Sequence, residues 1–564
     1  MLKLIKKIYS KITNLFTKNS NPLALDGAVD ASLAPKELRY LLVDPSMPEL
    51  VASVINPIPF NLPISVKFFT GKSAPFDTTQ GQAANTYAVL CRSINAINAK
   101  INLNKWALVK VLNVEPSAGD MPNAYYDRQN LKFFSFKGKS GKKVFTCLSY
   151  DIVAHELGHA LLDAMRPEFF SMASLEIWSF HESFGDINAI FASLYEPLLV
   201  NYLLTQTGGD LKKPNILGDL AEQFGAELGM QGALRKAINS FVYVKPETLP
   251  KQAPNSELCA ESHSFSRVMT GAFFDIFVEV YKAFGGGQNG IQKSRDFLIE
   301  TFMAACKTAP ASSNFYNSFA VTWTRLSMKQ SPAIGQIMNK VFADRKIIAQ
   351  PVASMTAMNV PAVNVTLLDE KQDDESIITV NEGFVLVKDL FQEDVIAQSA
   401  VLSEIMDLKL ALPLDEMMVA QGEEWQPVCC DAAEACACAK SFVEFMIEKD
   451  LYGQGEEQSW YKDENNNLVR KHISCCGDNG FINNCKVPGN PEFGKCWKCK
   501  NNTGCCTYGS CGCEEPPKPK VILPCRTRYN TCSATRYNAS CGATRYGSQP
   551  YGANSAGINP VPYT

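Results

Sequence analysis

Apolar and polar positions along the first 350 residues follow two different periods. Short runs rich in β-branched and aromatic residues predict four strands, at or within residues 65–70, 106–114, 124–136 and 144–150. Residues 80–99 and 150–198 space their apolar positions as helices do, the second with an interruption around Pro167, and residues 214–345 are mainly helical. Strands followed by helices predict an α+β body that ends near residue 350.

The segments before this body have patterns of their own. Residues 1–20 place apolar positions on one helical face and Lys residues mostly on the other, which predicts a basic amphipathic helix. Such a helix either contacts a membrane surface or export machinery through residues 1–18, or docks on the protein with its lysines in solvent. Residues 21–59 are rich in Pro and Ala and are predicted to be a linker with short ordered pieces, so the body spans residues 60–350.

Composition changes after the body. Residues 351–428 are strongly acidic but keep apolar runs, so we expect a small folded acidic module there. Residues 429–513 form a Cys-rich module with thirteen of the 20 Cys residues, and residues 514–564 form a low-complexity tail that repeats Thr-Arg-Tyr. The cysteines fit three chemistries: a disulfide framework, a structural zinc site built from the C-x-x-C and C-x-C pairs between residues 496 and 513, or reduced thiols.

Charge and apolar run length limit the partners and the location. The net charge of −3 over 564 residues argues against a protein that binds nucleic acid through bulk charge. The sequence contains no run of about 18 apolar residues, so no membrane-spanning helix is predicted. Lysines interrupt the N-terminal apolar stretch, so it is not a secretory signal. A disulfide-bonded tail would imply an oxidising location reached by non-classical export, and otherwise we expect a cytoplasmic one. The sequence does not predict an oligomeric state.

The motif His155-Glu156-Leu-Gly-His159 is the clearest chemical signal in the chain. On a helix the two His residues lie four positions apart and share one face, where both imidazoles can reach one zinc ion. Glu156 lies beside them and is placed to act as the general base that takes a proton from a metal-activated water. The alternative is a chance match of five residues, and the residues downstream argue against it.

The next helical segment supplies a carboxylate. Glu182 follows the two histidines, and a carboxylate after two His residues makes the His₂Glu set of a catalytic zinc site, with one position left for water. Asp186 lies one turn further along, where it can orient a ligand His through its second ring nitrogen. Acidic residues on so apolar a helix would be costly to bury without partners of this kind.

These motifs resemble the thermolysin-like family of zinc metallopeptidases, the Glu-zincins. Matching blocks occur in the family's order: N-A-Y-Y-D from Asn123, D-I-V-A-H-E-L-G-H-A from Asp151, H-E-S-F-G-D from His181, and a weaker block around His263. The resemblance covers roughly residues 60–345. It implies a thermolysin-like α+β domain, with a mixed or antiparallel sheet lobe and a helical lobe, to which the acidic module and the Cys-rich tail are added.

The resemblance implies a role for each residue of the zinc motifs. It makes His155, His159 and Glu182 the ligands of one catalytic zinc ion. It makes Asp186 the outer partner of a ligand His, with His155 favoured. Asp163 follows shortly after the first motif and, like Asp186, is expected to support a zinc ligand without binding the ion itself.

The weaker blocks supply the remaining roles. By resemblance, His263 donates a hydrogen bond to the oxyanion of the tetrahedral intermediate, and it is supported by an acidic residue upstream, either Glu257 or Glu261. A structural histidine is the alternative for His263. By the same resemblance, Asn123 and Ala124 hold a protein or peptide substrate by strand addition, using main-chain hydrogen bonds.

Three departures from the family's pattern change what the resemblance implies. No counterpart of the family's catalytic Tyr is found between His159 and Glu182, so no Tyr is assigned. Ser193 stands where an acidic calcium ligand is expected, so a calcium site is not favoured despite Asp151. The segment before residue 60 is too short for the family's pro-domain. We therefore expect either that the protein is not exported by the family's route, or that the acidic region or the Cys-rich tail restrains its activity.

Together these features predict a zinc-dependent endopeptidase that hydrolyses peptide bonds by means of a metal-activated water. One alternative is a catalytically silent thermolysin-like domain that acts as a binding or structural protein, against which the presence of Glu156 argues. Another is a zinc hydrolase that acts on a non-peptide bond, against which the edge-strand match at Asn123 argues. Side-chain preference depends on pocket walls that the sequence does not identify.

Overall fold

Two stretches of the chain form the described structure, and each contains strands and helices. The computed structural model describes residues 37–348, except 56 and 231, and residues 384–413, 417–421, 424–428, 432–455 and 458–474. The predicted helix at residues 1–20, most of the Cys-rich module and the whole tail after residue 513 lie outside the described residues. The mixture of helix and sheet confirms the α+β class in its coarse form.

Short strands form several small sheets in the body. They are β1 (Leu38–Leu41), β2 (Val51–Val54), β3 (Ile64–Val66), β4 (Leu112–Glu115), β5 (Ala124–Tyr126), β6 (Asn130–Phe133), β7 (Ser135–Lys137), β8 (Lys143–Phe145), β9 (Asp219–Leu220) and β10 (Arg235–Lys236). In the largest sheet β3, β4 and β6 run parallel, and β5 pairs antiparallel with β6. The strand predicted from residue 106 begins only at Leu112. Trp106 instead lies buried and donates a hydrogen bond to the Pro63 carbonyl oxygen at 2.8 Å.

Residues 38–54, predicted as part of a linker, form an ordered hairpin of β1 and β2. The side chains of Leu38, Tyr40 and Leu41 are at most 2% exposed. The Leu41 N–H donates a hydrogen bond to Asn85 Oδ1 at 2.9 Å, which ties the hairpin to a helix 44 positions further along the chain. The hairpin is therefore part of the core, through contacts that a Pro- and Ala-rich composition does not reveal.

Helices form the rest of the body. They are α1 (Thr79–Ile101), α2 (Tyr150–Met165), α3 (Leu175–Ser193), α4 (Pro197–Thr207), α5 (Glu222–Glu227), α6 (Ser262–Ala283), α7 (Gly287–Thr308), α8 (Phe315–Gln330) and α9 (Pro332–Asp344). The side chains of Ser149 and Ser174 accept backbone hydrogen bonds at the starts of α2 and α3, which fixes where each helix begins. After α2 ends, Pro167 opens a short 3-10 turn, as the interrupted periodicity indicates.

Within the described ranges, no single helix is long and apolar enough to cross a membrane. Helices α3 and α4 reach that length and composition only when taken together, and the chain bends by 96° between them.

Residues 384–474, here called the C-terminal segment, pack on the body and share its core. Their elements are β11 (Phe384–Leu386), α10 (Val387–Leu390), α11 (Glu393–Ala397), α12 (Ala400–Ile405), β12 (Lys409–Ala411), β13 (Met417–Gln421), β14 (Glu424–Val428), α13 (Ala432–Glu448), β15 (Trp460–Lys462), β16 (Leu468–Arg470) and β17 (Ile473–Ser474). Buried apolar residues of both stretches belong to one continuous cluster. Trp178 of α3 contacts Phe442 and Trp460, with ring centroids 4.1 and 4.4 Å apart. Strand β17 joins the largest sheet beside β5.

Candidate metal centre

Helix α2 carries two buried histidines and a buried glutamate on adjoining turns. One ligand atom from each of His155, Glu156 and His159 lies within 4.8 Å of the other two. All three side chains are at most 2% exposed. Because the histidines are four positions apart, they share one helix face, and their rings meet edge to face with centroids 4.7 Å apart. This group could hold a metal ion.

Two glycines allow α3 to approach this group closely. A Cβ atom on Gly158 of α2 would lie 2.8 Å from the Cα atom of Gly185 of α3, so the two backbones are in contact. The crossing brings Glu182 Oε2 to 3.4 Å from His155 Nε2, and Glu182 Oε1 to 3.8 Å from His159 Nε2. The structure therefore brings the three ligands predicted from the sequence together between two helices.

His159 has the chemical state of a metal ligand. Over the residues that the structure describes, neither of its ring nitrogens has a hydrogen-bond partner, although both are buried. Burial lowers the pKa of His159 well below 6.5, so the ring is neutral, as a ligand imidazole has to be. A buried polar group without a hydrogen bond costs about 1–3 kcal/mol. A zinc ion bound to this ring would remove that cost, so the residues present fit the ion.

Glu182 has the complementary state, an ionised carboxylate at a fully buried position. Burial raises the pKa of its carboxyl, but the charges of His263 and His159 and the hydrogen bonds from His155 and His263 together outweigh this effect and hold the pKa well below 4.5. A carboxylate next to imidazole nitrogens is a ligand set that suits zinc.

His263 enters the site from the first turn of α6. Its Nε2 lies 3.1 Å from Glu182 Oε2, and its Nδ1 lies 2.6 Å from Glu261 Oε1. Glu261 also accepts a hydrogen bond from the Ser264 N–H, which caps the helix. Burial by itself would lower the pKa of His263, but the two carboxylates raise it well above 6.5. His263 is therefore held as a buried cation, and Glu261 rather than Glu257 is its acidic partner.

Asp186 and Arg235 both contact His155. The structure places Asp186 Oδ1 3.0 Å from His155 Nδ1, the histidine for which the sequence favoured it. The sequence did not point to Arg235, whose guanidinium lies 2.9 Å from Asp186 Oδ1, 3.2 Å from His155 Nδ1 and 3.8 Å from Glu182 Oε2. A two-residue strand such as β10 carries no periodicity. The one available signal was that buried carboxylates need a cation.

Asp163 makes contacts other than the predicted ones. Its carboxylate accepts hydrogen bonds from Tyr126 Oη at 2.8 Å and from the Arg128 guanidinium at 2.8 and 3.0 Å. These bonds tie α2 to β5, so Asp163 positions the strand rather than a ligand histidine.

Asn123 and Ala124 lie at the beginning of β5. Both are buried, and Asn123 Oδ1 accepts a hydrogen bond from the Ala124 N–H at 2.9 Å. Because Asp163 of α2 binds Tyr126 of the same strand, β5 is held next to the helix that carries the two histidines.

Comparisons with known proteins add little to this picture. No family model and no curated protein matches the sequence. Among solved structures, the chain is similar to the precursor of protealysin, a metalloproteinase from Serratia proteamaculans. The TM-score is 0.35 and the sequence identity is 11%, over 49% of this chain and 81% of that chain.

Proposed function

We propose that this protein is a zinc-dependent endopeptidase with a thermolysin-like fold. One observation carries the proposal: His155, His159 and Glu182 meet around one buried point, with the carboxylate of Glu156 beside the two histidines. The first three would hold the ion. Zinc bound there would supply a Lewis acid that polarises a peptide carbonyl and lowers the pKa of a water molecule.

The protein's own groups would move the proton and stabilise the developing charge. Glu156, fully buried next to both histidines, would accept a proton from the attacking water and deliver it to the departing amine. His263 is held as a cation by Glu261, and its Nε2–H now faces Glu182 Oε2. With Glu182 bound to zinc, that Nε2–H would be released to donate a hydrogen bond to the oxygen on which negative charge develops. This chemistry needs no Ser or Cys nucleophile and no covalent intermediate.

A peptide is the proposed substrate because β5 lies next to the site and could pair with an extended chain on the side away from β6, where β17 now lies. One side of β5 is paired with β6, and a peptide in extended form would add to the other side through main-chain hydrogen bonds. The hydrogen bond from Tyr126 to Asp163 fixes this strand relative to α2. The same geometry makes a non-peptide substrate less suitable.

The experiment compares cleavage of an unfolded protein by zinc-loaded wild type, by wild type with a chelator, and by zinc-loaded Glu156→Gln. We expect the chelator to abolish cleavage and Glu156→Gln to lower kcat by about 10²–10⁴-fold, because the general base is lost. Glu156→Gln should still bind one zinc ion, since Glu156 is not a proposed ligand. Glu300→Gln, on an exposed position of α7, is the matched control and should behave as wild type. Equal cleavage in all samples would contradict the proposal, and no cleavage in any of them would leave the catalytically silent alternative.

A further inference from the structure

The free side of β5 is occupied by the chain itself. Strand β17 pairs antiparallel with β5, with Ile473 opposite Tyr126 and Ser474 opposite Tyr125. The strand order in the largest sheet is β17-β5-β6-β4-β3, so β17 forms its outer edge. Because β6 pairs with the other side of β5, an incoming peptide has no second side of this strand to use.

Side-chain contacts hold β17 in this position. Ile473 is fully buried. The His472 ring lies against Tyr125, with centroids 5.0 Å apart. The carbonyl oxygen of His472 accepts a hydrogen bond from Arg470 Nε at 2.9 Å. We call residues 470–474 the blocking segment.

The blocking segment is also anchored on the helix that carries Glu182. Trp178 precedes Glu182 by four residues, about one helical turn, on α3. The guanidinium of Arg470 lies 5.4 Å from the ring centroid of Trp178 and 5.7 Å from that of Trp460, within cation–π range. The segment therefore connects the strand proposed to bind peptide with the helix proposed to bind zinc.

The site itself is closed to solvent in this arrangement. The groups proposed to bind zinc and to act on the substrate are at most 2% exposed: His155, Glu156, His159, Glu182 and His263. A site as buried as this cannot admit a polypeptide until part of the protein moves. The segment that occupies the peptide position is the part whose departure would free β5.

We propose that the blocking segment is a built-in inhibitor, which takes the place of substrate on β5 and has to leave before the enzyme can act. This inference rests on the proposed function. Segment and peptide compete for one strand edge, so only the fraction of molecules with the segment displaced binds substrate. The apparent KM then exceeds the intrinsic one by the inverse of that fraction, whereas kcat is unchanged.

The test uses the full zinc-loaded chain with Ile473→Glu, which places a charge at a fully buried strand position. We expect kcat/KM for an internally quenched peptide to rise roughly tenfold or more through a lower KM, with kcat within about twofold of wild type. Asn465→Glu, in the exposed turn between β15 and β16, adds the same charge and serves as the control. It should leave both constants unchanged.

A second readout does not depend on catalysis. Hydrogen exchange of the β5 amides should be slow in wild type and in Asn465→Glu, and roughly tenfold faster or more in Ile473→Glu, because the partner strand has left. Unchanged exchange would overturn the inference whatever the activity.

The two proposals fail in different ways. If wild type cleaves, Glu156→Gln does not, and Ile473→Glu leaves KM unchanged, the inhibitory role is wrong and the proposed function stands. If neither wild type nor Ile473→Glu cleaves although the β5 amides exchange faster, the peptidase function is wrong, and the inhibitory role falls with it.

Discussion

Replacing Gly185 by Ala should disable the proposed metal centre although it replaces none of the proposed ligands. The new Cβ atom would lie 2.6 Å from both Cε1 and Nδ1 of His155, and 2.9 Å from Cγ. Ordinary contact begins at 3.4 Å, so the ring has to retreat by about 0.8 Å. Ligand distances in zinc sites are held within about 0.2 Å, so a retreat of this size takes the imidazole out of coordination range.

The alternative response is that α2 and α3 separate. Their backbones are in contact at Gly158 and Gly185, so separation opens the core on both sides of the crossing. Forcing an extra carbon into a packed core costs about 1–3 kcal/mol. Both responses move His155 away from Glu182, and both weaken zinc binding.

We therefore expect the zinc Kd of Gly185→Ala to rise about 100-fold, which corresponds to about 2.8 kcal/mol. Competition with a chromophoric chelator measures the Kd, and urea unfolding of the zinc-free protein separates it from the loss of stability. Gly290→Ala is the control, since the atoms nearest to its Cβ would be the Tyr281 carbonyl oxygen at 3.1 Å and two atoms of the Tyr281 ring at 3.3 and 3.4 Å, on a helix that carries no proposed ligand. A folded Gly185→Ala protein whose Kd lies within about twofold of wild type would refute the reasoning.

Three further substitutions each remove a single carboxylate. Asp186→Asn should weaken zinc binding about 10–100-fold, because His155 loses the carboxylate that orients it, whereas Asp163→Asn should leave the Kd within about threefold of wild type. Equal losses in both variants would contradict the contacts described here. Burial raises the pKa of Asp151 to about 7, so the folded carboxyl keeps its proton up to that pH, while the unfolded one loses it near 3.8. Its contribution to stability is therefore present below about pH 4 and is lost as pH rises to 7. Asp151→Asn cannot ionise and should be more stable than wild type at pH 8 by on the order of 2 kcal/mol, but not at pH 4. Thermal melts at the two pH values measure this, and an equal difference at both would count against it.

Local spacing accounts for the features of the site that the sequence predicts well. His155 and His159 are on one helix, four positions apart, so their relation follows from helix geometry alone. Glu182 and Asp186 repeat that spacing on a second helix, and only the crossing of the two helices remained to be found. The glycines in both motifs are what permit that crossing.

The features that the sequence did not predict all depend on distant contacts. Arg235 reaches the site from a two-residue strand, and its partner Asp186 lies 49 positions earlier (235 − 186). The hairpin of residues 38–54 is ordered by contacts with α1, not by its own composition. Asp163 has the right sequence position for supporting a ligand, but its neighbours in space are Tyr126 and Arg128. Such pairings depend on how distant parts of the chain pack together, which the pattern and spacing of residues along the sequence do not predict.

Because the body and the C-terminal segment share one continuous core, the proposed activation would be part of the same equilibrium as folding. The body contributes Trp178 to a cluster of aromatic rings, and the C-terminal segment contributes Phe442 and Trp460. Removal of either stretch would therefore expose apolar surface on the other. Full release of the C-terminal segment would expose aromatic surface on α3, a helix proposed to carry a zinc ligand. An activated molecule would therefore aggregate more readily than a latent one. A partner that binds the released surface would drive activation by mass action. Removal of that partner would return the population to the latent form only if the three rings pack together again.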